Sequence, residues 1–380
     1  MSDTTIHGTC EAAFRDVKEA FRENFAVRGE IGARVTVMLD GRTMVDLWGG
    51  WADPATARPW TEETLVCSFS VAKAVCATLA HMLADRGLLD LDAPVCAYWP
   101  EFAQAGKEAI LVRHVLSHQA ALAYVDDTLS PGDLYDWDVM VDALARTRPN
   151  HEPGCRLAYL NMTYGYLVGE LIRRIAGRDL GSTFAEELSR PLGLDWHFGV
   201  KDADLHRVAR MVQVAPAPLF DSARTAPGSI FSRSMQGFAA GEDFNSPAWR
   251  KALIGSGSIH GNARSMARLF ACLARGGELD GVRIMSAGSV ARATVEQVGG
   301  HDPVMDVDMR MALGFELNCP PAFPMGGNPD AFGHWGAGGS FGFADPASRL
   351  SFGYSPNFMH PGLELGPRGG ALVEALRGCL

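Results

Sequence analysis

The chain has 380 residues, of which 47% are hydrophobic and 21% charged, a balance typical of a large soluble globular protein. The formal net charge is -10, and no basic stripe is present to meet nucleic-acid phosphates or an anionic membrane surface. No apolar run approaches the roughly 20 residues that span a bilayer. Residues 1–14 lack the basic start and apolar stretch of a secretory signal, so we expect a cytoplasmic protein without nucleic-acid or membrane partners.

The cysteines and histidines give no metal-binding pattern. The eight cysteines are scattered without a C-x-x-C pair and have mostly apolar neighbours, which favours buried, reduced thiols. The eleven histidines show no H-E-x-x-H or similar spacing. We therefore expect neither a metal ion nor a cofactor.

The N-terminal part predicts one helix followed by a β-hairpin. Over residues 10–27, Phe14, Val17 and Phe21 recur at helical spacing, which predicts an amphipathic helix. Two β-rich runs then flank Asp40-Gly41, a strong two-residue turn signal. Residues 33–53 therefore form a predicted hairpin.

The middle of the chain is predicted to be mainly helical. The helices expected from apolar periodicity and glycine stops cover residues 70–86, about 108–117, the end of 159–177, and 262–277. Residues 118–155 are rich in turn residues, and residues 200–255 are irregular. Long irregular segments in a compact protein are more often walls of a functional site than linkers.

The C-terminal part returns to β character and completes the fold. Two predicted strands surround the turn Asp345-Pro346-Ala347-Ser348, and residues 369–380 form a closing helix. We infer an α+β fold of one module, residues 1–380. Its mostly antiparallel sheet is built from both termini and flanked by helices, because hairpins generate antiparallel pairing. The predicted α/β lobe is 1–57 plus 305–380, and the inserted helical lobe is 58–304.

Two serines sit in patterns that suggest a nucleophile. Ser340 lies in G-x-S-x-G at 338–342, the pattern of a hydrolase elbow, in which a helix follows the serine. Here a strand-like run follows instead, and the available histidine, His360, lies in a Pro/Gly-rich loop. Glycines in a tightly packed strand explain this stretch well enough.

Ser70 fits a nucleophile better. It begins an apolar helix, where free backbone N–H groups and the helix dipole favour a developing negative charge. Lys73 follows one turn later on the same helix face. A lysine among apolar neighbours is partly desolvated, which lowers its pKa and makes a neutral amine available as a general base. By itself this pattern is also typical of a helix-capping serine beside a surface lysine.

Two further motifs give Ser70 its context. Tyr159-Leu160-Asn161 lies between a Pro-Gly turn and a helix, and His334-Trp335-Gly336 begins a predicted strand. In this order the three motifs resemble the serine hydrolases of the penicillin-binding-protein and class C β-lactamase fold. The segments 116–122, 152–172, 256–269 and 333–346 also resemble that superfamily, so that the likeness covers roughly residues 30–355. The branch that the chain resembles most is the family VIII carboxylesterases.

The resemblance implies a role for each motif residue. Ser70 would attack the substrate and form an acyl-enzyme. Lys73 and Tyr159 would share the general-base work, either through a neutral Lys73 or through a tyrosinate that Lys73 stabilises. Asn161 would hydrogen-bond Lys73 or the acyl part of the substrate. The backbone N–H groups of Ser70 and Ala337 would form the oxyanion hole, with Gly336 allowing close approach of the substrate.

The third motif also bears on the substrate. Its position favours contact of His334 with the substrate site, with a purely local hydrogen bond as the alternative. β-Lactamases of this fold typically place a lysine where this chain has His334, so the fixed cation that attracts an anionic substrate is missing. Trp335 and Phe341 are predicted to form an apolar wall. Tyr124 and Trp137 are further candidates for this wall, with simple loop packing as the alternative. His118, in "LSHQAAL", is expected to be structural.

These features predict a serine carboxylesterase that hydrolyses small to medium acyl esters. The alternatives within the fold are a β-lactamase, a D-stereospecific amidase or peptidase, and an acyltransferase. A different class is a non-catalytic scaffold, against which the intact Ser70, Lys73 and Tyr159 argue.

Overall fold

The computed structural model describes residues 4–130, 132–213, 226, 228–236, 244–362 and 365–379. Part of the segment predicted to be irregular, residues 200–255, lies outside these ranges. Within them, no helix is long and apolar enough to cross a membrane.

An antiparallel ten-stranded sheet organises the molecule. Across the sheet, the hydrogen-bonded strands follow one another in the order β1-β3-β2-β15-β14-β13-β12-β11-β10, and β4 pairs with β3 outside this path. The strands described are β1 (Ile6–Cys10), β2 (Gly32–Leu39), β3 (Arg42–Asp53), β4 (Arg58–Pro59), β5 (Val66–Cys67), β6 (His197–Phe198), β7 (Ile259–Gly261), β8 (Glu278–Leu279), β9 (Val282–Arg283), β10 (Val298–Asp302), β11 (Val307–Met311), β12 (Glu316–Leu317), β13 (Phe332–Trp335), β14 (Phe341–Asp345) and β15 (Leu350–Pro356).

The sheet joins the two ends of the chain, as the sequence predicted. Strand β15 pairs antiparallel with β2, with Gly353 opposite Thr36. The predicted hairpin joins β2 and β3. Its turn residues Asp40 and Gly41 have φ values of 53° and 80°, the left-handed conformation that two-residue hairpin turns require. The predicted lobe boundary needs correction at both ends, because β4 and β10, assigned to the helical lobe, belong to this sheet.

The helices described are α1 (Arg15–Val27), α2 (Val71–Asp85), α3 (Val112–Leu116), α4 (Trp137–Arg146), α5 (Thr163–Ala176), α6 (Leu180–Phe184), α7 (Arg190–Leu192), α8 (Ile230–Ser234), α9 (Pro247–Lys251), α10 (Ala263–Ala274), α11 (Ala287–Ala293) and α12 (Gly366–Arg377). They correspond to the helices that apolar periodicity predicted, with shorter ones added in the middle of the chain.

The two faces of the sheet pack against different helices. Because side chains alternate along a strand, Phe352 of β15 joins the core shared with α1 and α12. Gly353 faces α10 instead, and a Cβ atom there would lie 2.4 Å from the Ala263 carbonyl oxygen. Glycine at this position therefore lets α10 approach the sheet closely.

Helix α2 lies in the middle of a second hydrophobic core, separate from the one that Phe352 shares with α1 and α12. Every residue from Val71 to Leu83 is buried, as expected of a helix that is apolar nearly all round. It packs against α5 along its length and meets β13 of the sheet. The N-terminus of α2 is thereby held at the boundary between the sheet and the helical part of the molecule, where the predicted motifs come together.

Candidate active site

Ser70 occupies the N-cap of α2, at the end of a tight turn. Strand β5 leads into this turn, and the Ser68 N–H donates to the Ile259 carbonyl of β7 at 2.9 Å. Phe69 has a φ of 45°, a left-handed conformation that is strained for a residue with a bulky side chain. Such strain at a helix N-terminus is typical of a turn that presents a functional side chain.

Lys73 is fully buried directly beside Ser70. Its Nζ lies 3.1 Å from the Ser70 Oγ and donates to the Ser256 main-chain carbonyl at 3.2 Å. It also lies 4.8 Å from the centre of the Tyr159 ring. Burial lowers the pKa of Lys73 to about 7, with the nearby Glu316 carboxylate opposing the shift. A substantial fraction of this amine is therefore neutral near pH 7 and can accept a proton.

Tyr159 is buried on the other side of Lys73. Burial raises the pKa of its hydroxyl well above the usual 10, and the Glu316 charge adds to this, while interaction with the Ser70 hydroxyl opposes it. Tyr159 is therefore a neutral phenol at physiological pH. Of the two general-base alternatives, these pKa directions favour a neutral Lys73 over a tyrosinate.

The third motif forms the end of β13. His334 is fully buried, and its Nδ1 lies 2.8 Å from the Trp335 carbonyl oxygen. It is not among the described residues that line the cleft, so the structure places it behind the cleft with the local hydrogen bond rather than in the expected contact with the substrate. Burial lowers the pKa of His334 to about 3, so the imidazole is neutral and supplies no cation. Trp335 stacks on Phe341 with ring centres 4.3 Å apart and faces the cleft.

The geometry of the turn after β13 fits an oxyanion hole. Ala337 begins the 3-10 turn Ala337–Gly339, so its N–H has no acceptor inside that turn, and the same holds for Ser70 at its N-cap. Among the residues that the structure describes, neither N–H has a hydrogen-bond acceptor. A Cβ atom at Gly336 would lie 2.3 Å from the Ser68 carbonyl oxygen, so glycine lets β13 approach the Ser70 turn.

Ser70 opens into an apolar cleft whose empty space, counted together with its solvent-filled mouth, is about 870 Å³. Among the described residues that line it, Glu316 has the only ionisable carboxyl and no lysine, arginine or histidine occurs. Five are methionines and six are aromatic rings other than Tyr159. These eleven are Met162, Met235, Met305, Met309, Met359, Phe69, Phe231, Phe244, Phe323, Trp249 and Trp335. Methionine side chains adapt to ligands of different shape, so the cleft fits neutral, apolar groups.

Three of the predicted wall residues lie elsewhere. The Trp137 indole N–H donates to Glu170 at 2.9 Å, in the packing between α4 and α5. The Arg233 guanidinium covers the Tyr124 ring at 3.5 Å. Phe341 is fully buried between Trp335 and Phe352. For the described residues, the prediction that these three line the cleft is therefore wrong, and Trp335 alone of the predicted wall does so.

Asn161 lines the cleft but makes different contacts from those expected. Its Nδ2 lies 2.8 Å from the Met235 sulfur and 3.4 Å from the Ser234 hydroxyl. The described hydrogen bonds of Lys73 go to Ser70 and Ser256. Of the two partners predicted for Asn161, Lys73 is therefore not bonded to it in the described structure, and the acyl part of the substrate stays a prediction.

Sequence reasoning missed three groups at this site. Glu316 of β12 accepts the Trp335 N–H at 3.0 Å, and burial raises the pKa of its carboxyl to about 8. Asp302 accepts the Tyr159 N–H at 2.7 Å. The third is the Ser256 carbonyl. The sequence contained one signal for Glu316, which is the single acid inside the apolar run "ALGFELNC". It contained no signal for the Ser256 carbonyl, because every residue has a main-chain carbonyl.

Comparison with known proteins shows the family of this chain. A model of the beta-lactamase family matches residues 17–376. This chain belongs to the beta-lactamase family. A curated relative, "Esterase/beta-lactamase LipL" of Mycobacterium tuberculosis, is 34% identical over 91% of this chain and 82% of its own length.

Solved structures of the beta-lactamase fold are similar over nearly the full chain. A family VIII carboxylesterase is 39% identical, with a TM-score of 0.88 over 99% of this chain and all of its own. A penicillin-binding protein homologue from Caulobacter crescentus is 38% identical, with a TM-score of 0.90 and the same coverage. The resemblance noted in the sequence is therefore confirmed.

Proposed function

We propose that this protein is a serine carboxylesterase for neutral esters. The observation that carries the proposal is the buried Lys73 amine, 3.1 Å from the Ser70 hydroxyl, at the base of a cleft whose described lining contains no cation. The similarity to a family VIII carboxylesterase supports it, as does the relative whose name includes both esterase and beta-lactamase.

Acylation begins with attack of the Ser70 Oγ on the ester carbonyl carbon. The hydroxyl proton passes to the neutral Lys73 Nζ, which lies within hydrogen-bond distance. The carbonyl oxygen becomes an oxyanion that the N–H groups of Ser70 and Ala337 stabilise, at about 3 kcal/mol for each donor.

The intermediate then collapses to the acyl-enzyme. The bond to the alkoxy oxygen breaks, and the leaving oxygen takes a proton from the Tyr159 hydroxyl, which is replenished from the Lys73 ammonium. The alcohol departs and Lys73 is neutral again. A water molecule then attacks the acyl-enzyme and its proton goes to Lys73. The bond to Ser70 breaks, and the Ser70 Oγ takes a proton from the Tyr159 hydroxyl, which the Lys73 ammonium replenishes. The carboxylic acid is released, and Ser70 and Lys73 return to their starting forms.

Two assays and one label test this function. We expect p-nitrophenyl butyrate to be hydrolysed faster than nitrocefin, and a fluorophosphonate to label Ser70 covalently. Ser70→Ala should lose both activity and label while keeping its fold. Nitrocefin turnover that rivals ester turnover would favour a β-lactamase, and a folded wild-type protein without label would favour a scaffold.

A further inference from the structure

The main chain around Tyr159 is held by hydrogen bonds from three consecutive N–H groups, those of residues 158 to 160. The Ala158 N–H donates to the His118 carbonyl at 3.0 Å, and the Leu160 N–H donates to the His118 Nδ1 at 2.9 Å. Between them, the Tyr159 N–H donates to the Asp302 carboxylate at 2.7 Å. Two side chains and one carbonyl, from segments distant in sequence, thus hold residues 158–160.

His118 also holds the Tyr159 ring. The two rings stack with centres 4.6 Å apart and planes 17° from parallel, and the Tyr164 ring also stacks on His118 at 4.8 Å. Because the Leu160 amide can only donate, the His118 Nδ1 must be the acceptor, which fixes the neutral Nε2–H tautomer. His118 is fully buried with a φ of 60°, an unfavourable conformation that its surroundings maintain.

Asp302 connects Tyr159 to the cleft wall. It is the last residue of β10, the edge strand of the large sheet. While one carboxylate oxygen accepts from Tyr159, the other accepts from the N–H groups of Val304 and Met305 at 3.0 and 2.6 Å. Met305 lines the cleft. One carboxylate therefore sets the distance between the tyrosine and part of the substrate-facing surface.

We propose that His118 and Asp302, here called the His118–Asp302 pair, are positioning residues that hold the Tyr159 hydroxyl in line with Ser70 for the chemical step. This inference rests on the proposed function of Tyr159 as a proton carrier. The pair makes no contact with Ser70 itself among its described hydrogen bonds and stacking contacts. Its effect on the reaction passes through Tyr159, and a displacement of about 1 Å in such a group lowers a rate about 100-fold.

The Asp302→Asn variant tests the carboxylate. Its amide keeps one acceptor oxygen and places an NH2 donor against an N–H donor, so Tyr159 or the Val304 turn loses its partner. We expect kcat for p-nitrophenyl butyrate, per fluorophosphonate-titrated site, to fall about 10- to 100-fold while KM changes less than about threefold.

Asp345→Asn is the matched control. Asp345 is also a buried acid at the end of a strand, and it accepts the N–H groups of Ala347 and Ser348 in the turn after β14. We expect a comparable loss in melting temperature with kcat within about twofold of the wild type. Equal kcat values for Asp302→Asn, Asp345→Asn and the wild type would overturn the proposal.

Two substitutions of His118 separate its contacts. His118→Phe keeps a ring for stacking and removes the acceptor for Leu160. His118→Asn removes the ring, keeps an oxygen at the place of Nδ1, and tolerates a positive φ. We expect both to lower kcat at least about tenfold, since each removes one of the two restraints. Two variants with wild-type kcat would contradict a positioning role.

A double-mutant cycle with Tyr159→Phe tests whether the His118–Asp302 pair affects the reaction rate through Tyr159. If the pair acts through Tyr159, His118→Phe in the Tyr159→Phe background should lower kcat by less than about twofold further. An undiminished further loss would overturn the proposal. A wild-type protein without Ser70-dependent ester hydrolysis would instead refute the proposed function itself, whereas normal variants of an active enzyme refute only the role of the pair.

Discussion

Ser340 donates its hydroxyl to the main-chain carbonyl of Ser68 at 3.0 Å, two residues before the nucleophile candidate. The serine of the elbow-like pattern is itself buried, and a strand follows it rather than a helix. Its hydroxyl therefore joins the turn after β13 to the turn that presents Ser70. The G-x-S-x-G pattern around Ser340 thus has a structural explanation, because its serine stabilises the turn that carries Ser70.

Ser340→Ala should accordingly keep ester hydrolysis, whereas Ser70→Ala abolishes it. Loss of the buried hydrogen bond should lower the free energy of unfolding by about 1 kcal/mol, and kcat/KM should remain within about tenfold of the wild type. Urea denaturation and p-nitrophenyl butyrate hydrolysis measure the two effects. Loss of fluorophosphonate labelling in Ser340→Ala, with labelling retained in Ser70→Ala, would reverse the assignment.

The pH dependence should report the Lys73–Glu316 relationship. Because the base must be neutral and its pKa is about 7, kcat/KM should rise as the pH increases through about 7. Burial raises the pKa of Glu316 to about 8, so its carboxyl is ionised only in part near pH 7, and the ionised fraction favours the ammonium form of Lys73. Glu316→Gln removes that partial charge but keeps an acceptor for the Trp335 N–H, so the acid limb should move to lower pH by a few tenths of a pH unit, about 0.2 to 0.5.

Asp345→Asn is a useful control for this shift, because it removes an acid in a turn away from Ser70. Its pH profile should coincide with that of the wild type. A Glu316→Gln profile that stays in place, or moves to higher pH, would show that the Glu316 charge does not set the protonation of Lys73.

Sequence reasoning reached the parts of the site that local spacing determines. Ser70 and Lys73 share one turn of α2, and Tyr159 and Asn161 belong to one motif, so a short pattern contains each pair. Glu316 reaches the site through strand pairing of β12 with β13, which no short pattern records. The fold was predictable for a similar reason, since hairpins and apolar periodicity are local signals.

The errors came from side chains whose partners are distant. Trp137 was a plausible wall residue by its apolar character, but its indole N–H finds Glu170 on α5. The role of Asp302 depends on a hydrogen bond to Tyr159 across 143 positions of sequence. Burial of polar groups requires such partners, and their identity is a property of tertiary packing rather than of the local sequence.

The cleft lining predicts discrimination against anionic acyl groups. A carboxylate in this cleft would lose its hydration and would find no lysine or arginine among the described lining residues. We expect kcat/KM for mono-p-nitrophenyl succinate to be about 10- to 100-fold below that for p-nitrophenyl butyrate. The two esters share a leaving group and have acyl chains of similar length. Equal values would indicate a cation at the acyl end of the site.

The last prediction concerns the free energy of unfolding, which the lowered pKa of the buried Lys73 reduces in the wild-type protein. In the folded protein its pKa is about 7, below the ordinary 10.5, so between these pH values the unfolded chain binds a proton that the folded one does not. This difference lowers wild-type stability as the pH falls through that window. Lys73→Met should abolish hydrolysis, and its free energy of unfolding should exceed that of the wild type by about 1 kcal/mol at pH 7 and by less at pH 9.5.

Lys107→Met is the matched control, because Lys107 is equally buried but serves packing. Its ammonium donates to the carbonyls of Gln104, Ala145 and Thr147 at 3.0, 2.9 and 2.6 Å. Removing three donors from buried carbonyls should lower the free energy of unfolding by about 2–3 kcal/mol. Burial also lowers the pKa of Lys107, to about 8, so the two variants are compared with each other at pH 7, where its ammonium is present. Urea denaturation measures both variants. If Lys73→Met is destabilised as much as Lys107→Met, Lys73 is a structural lysine, and its neutral amine loses its place in the mechanism.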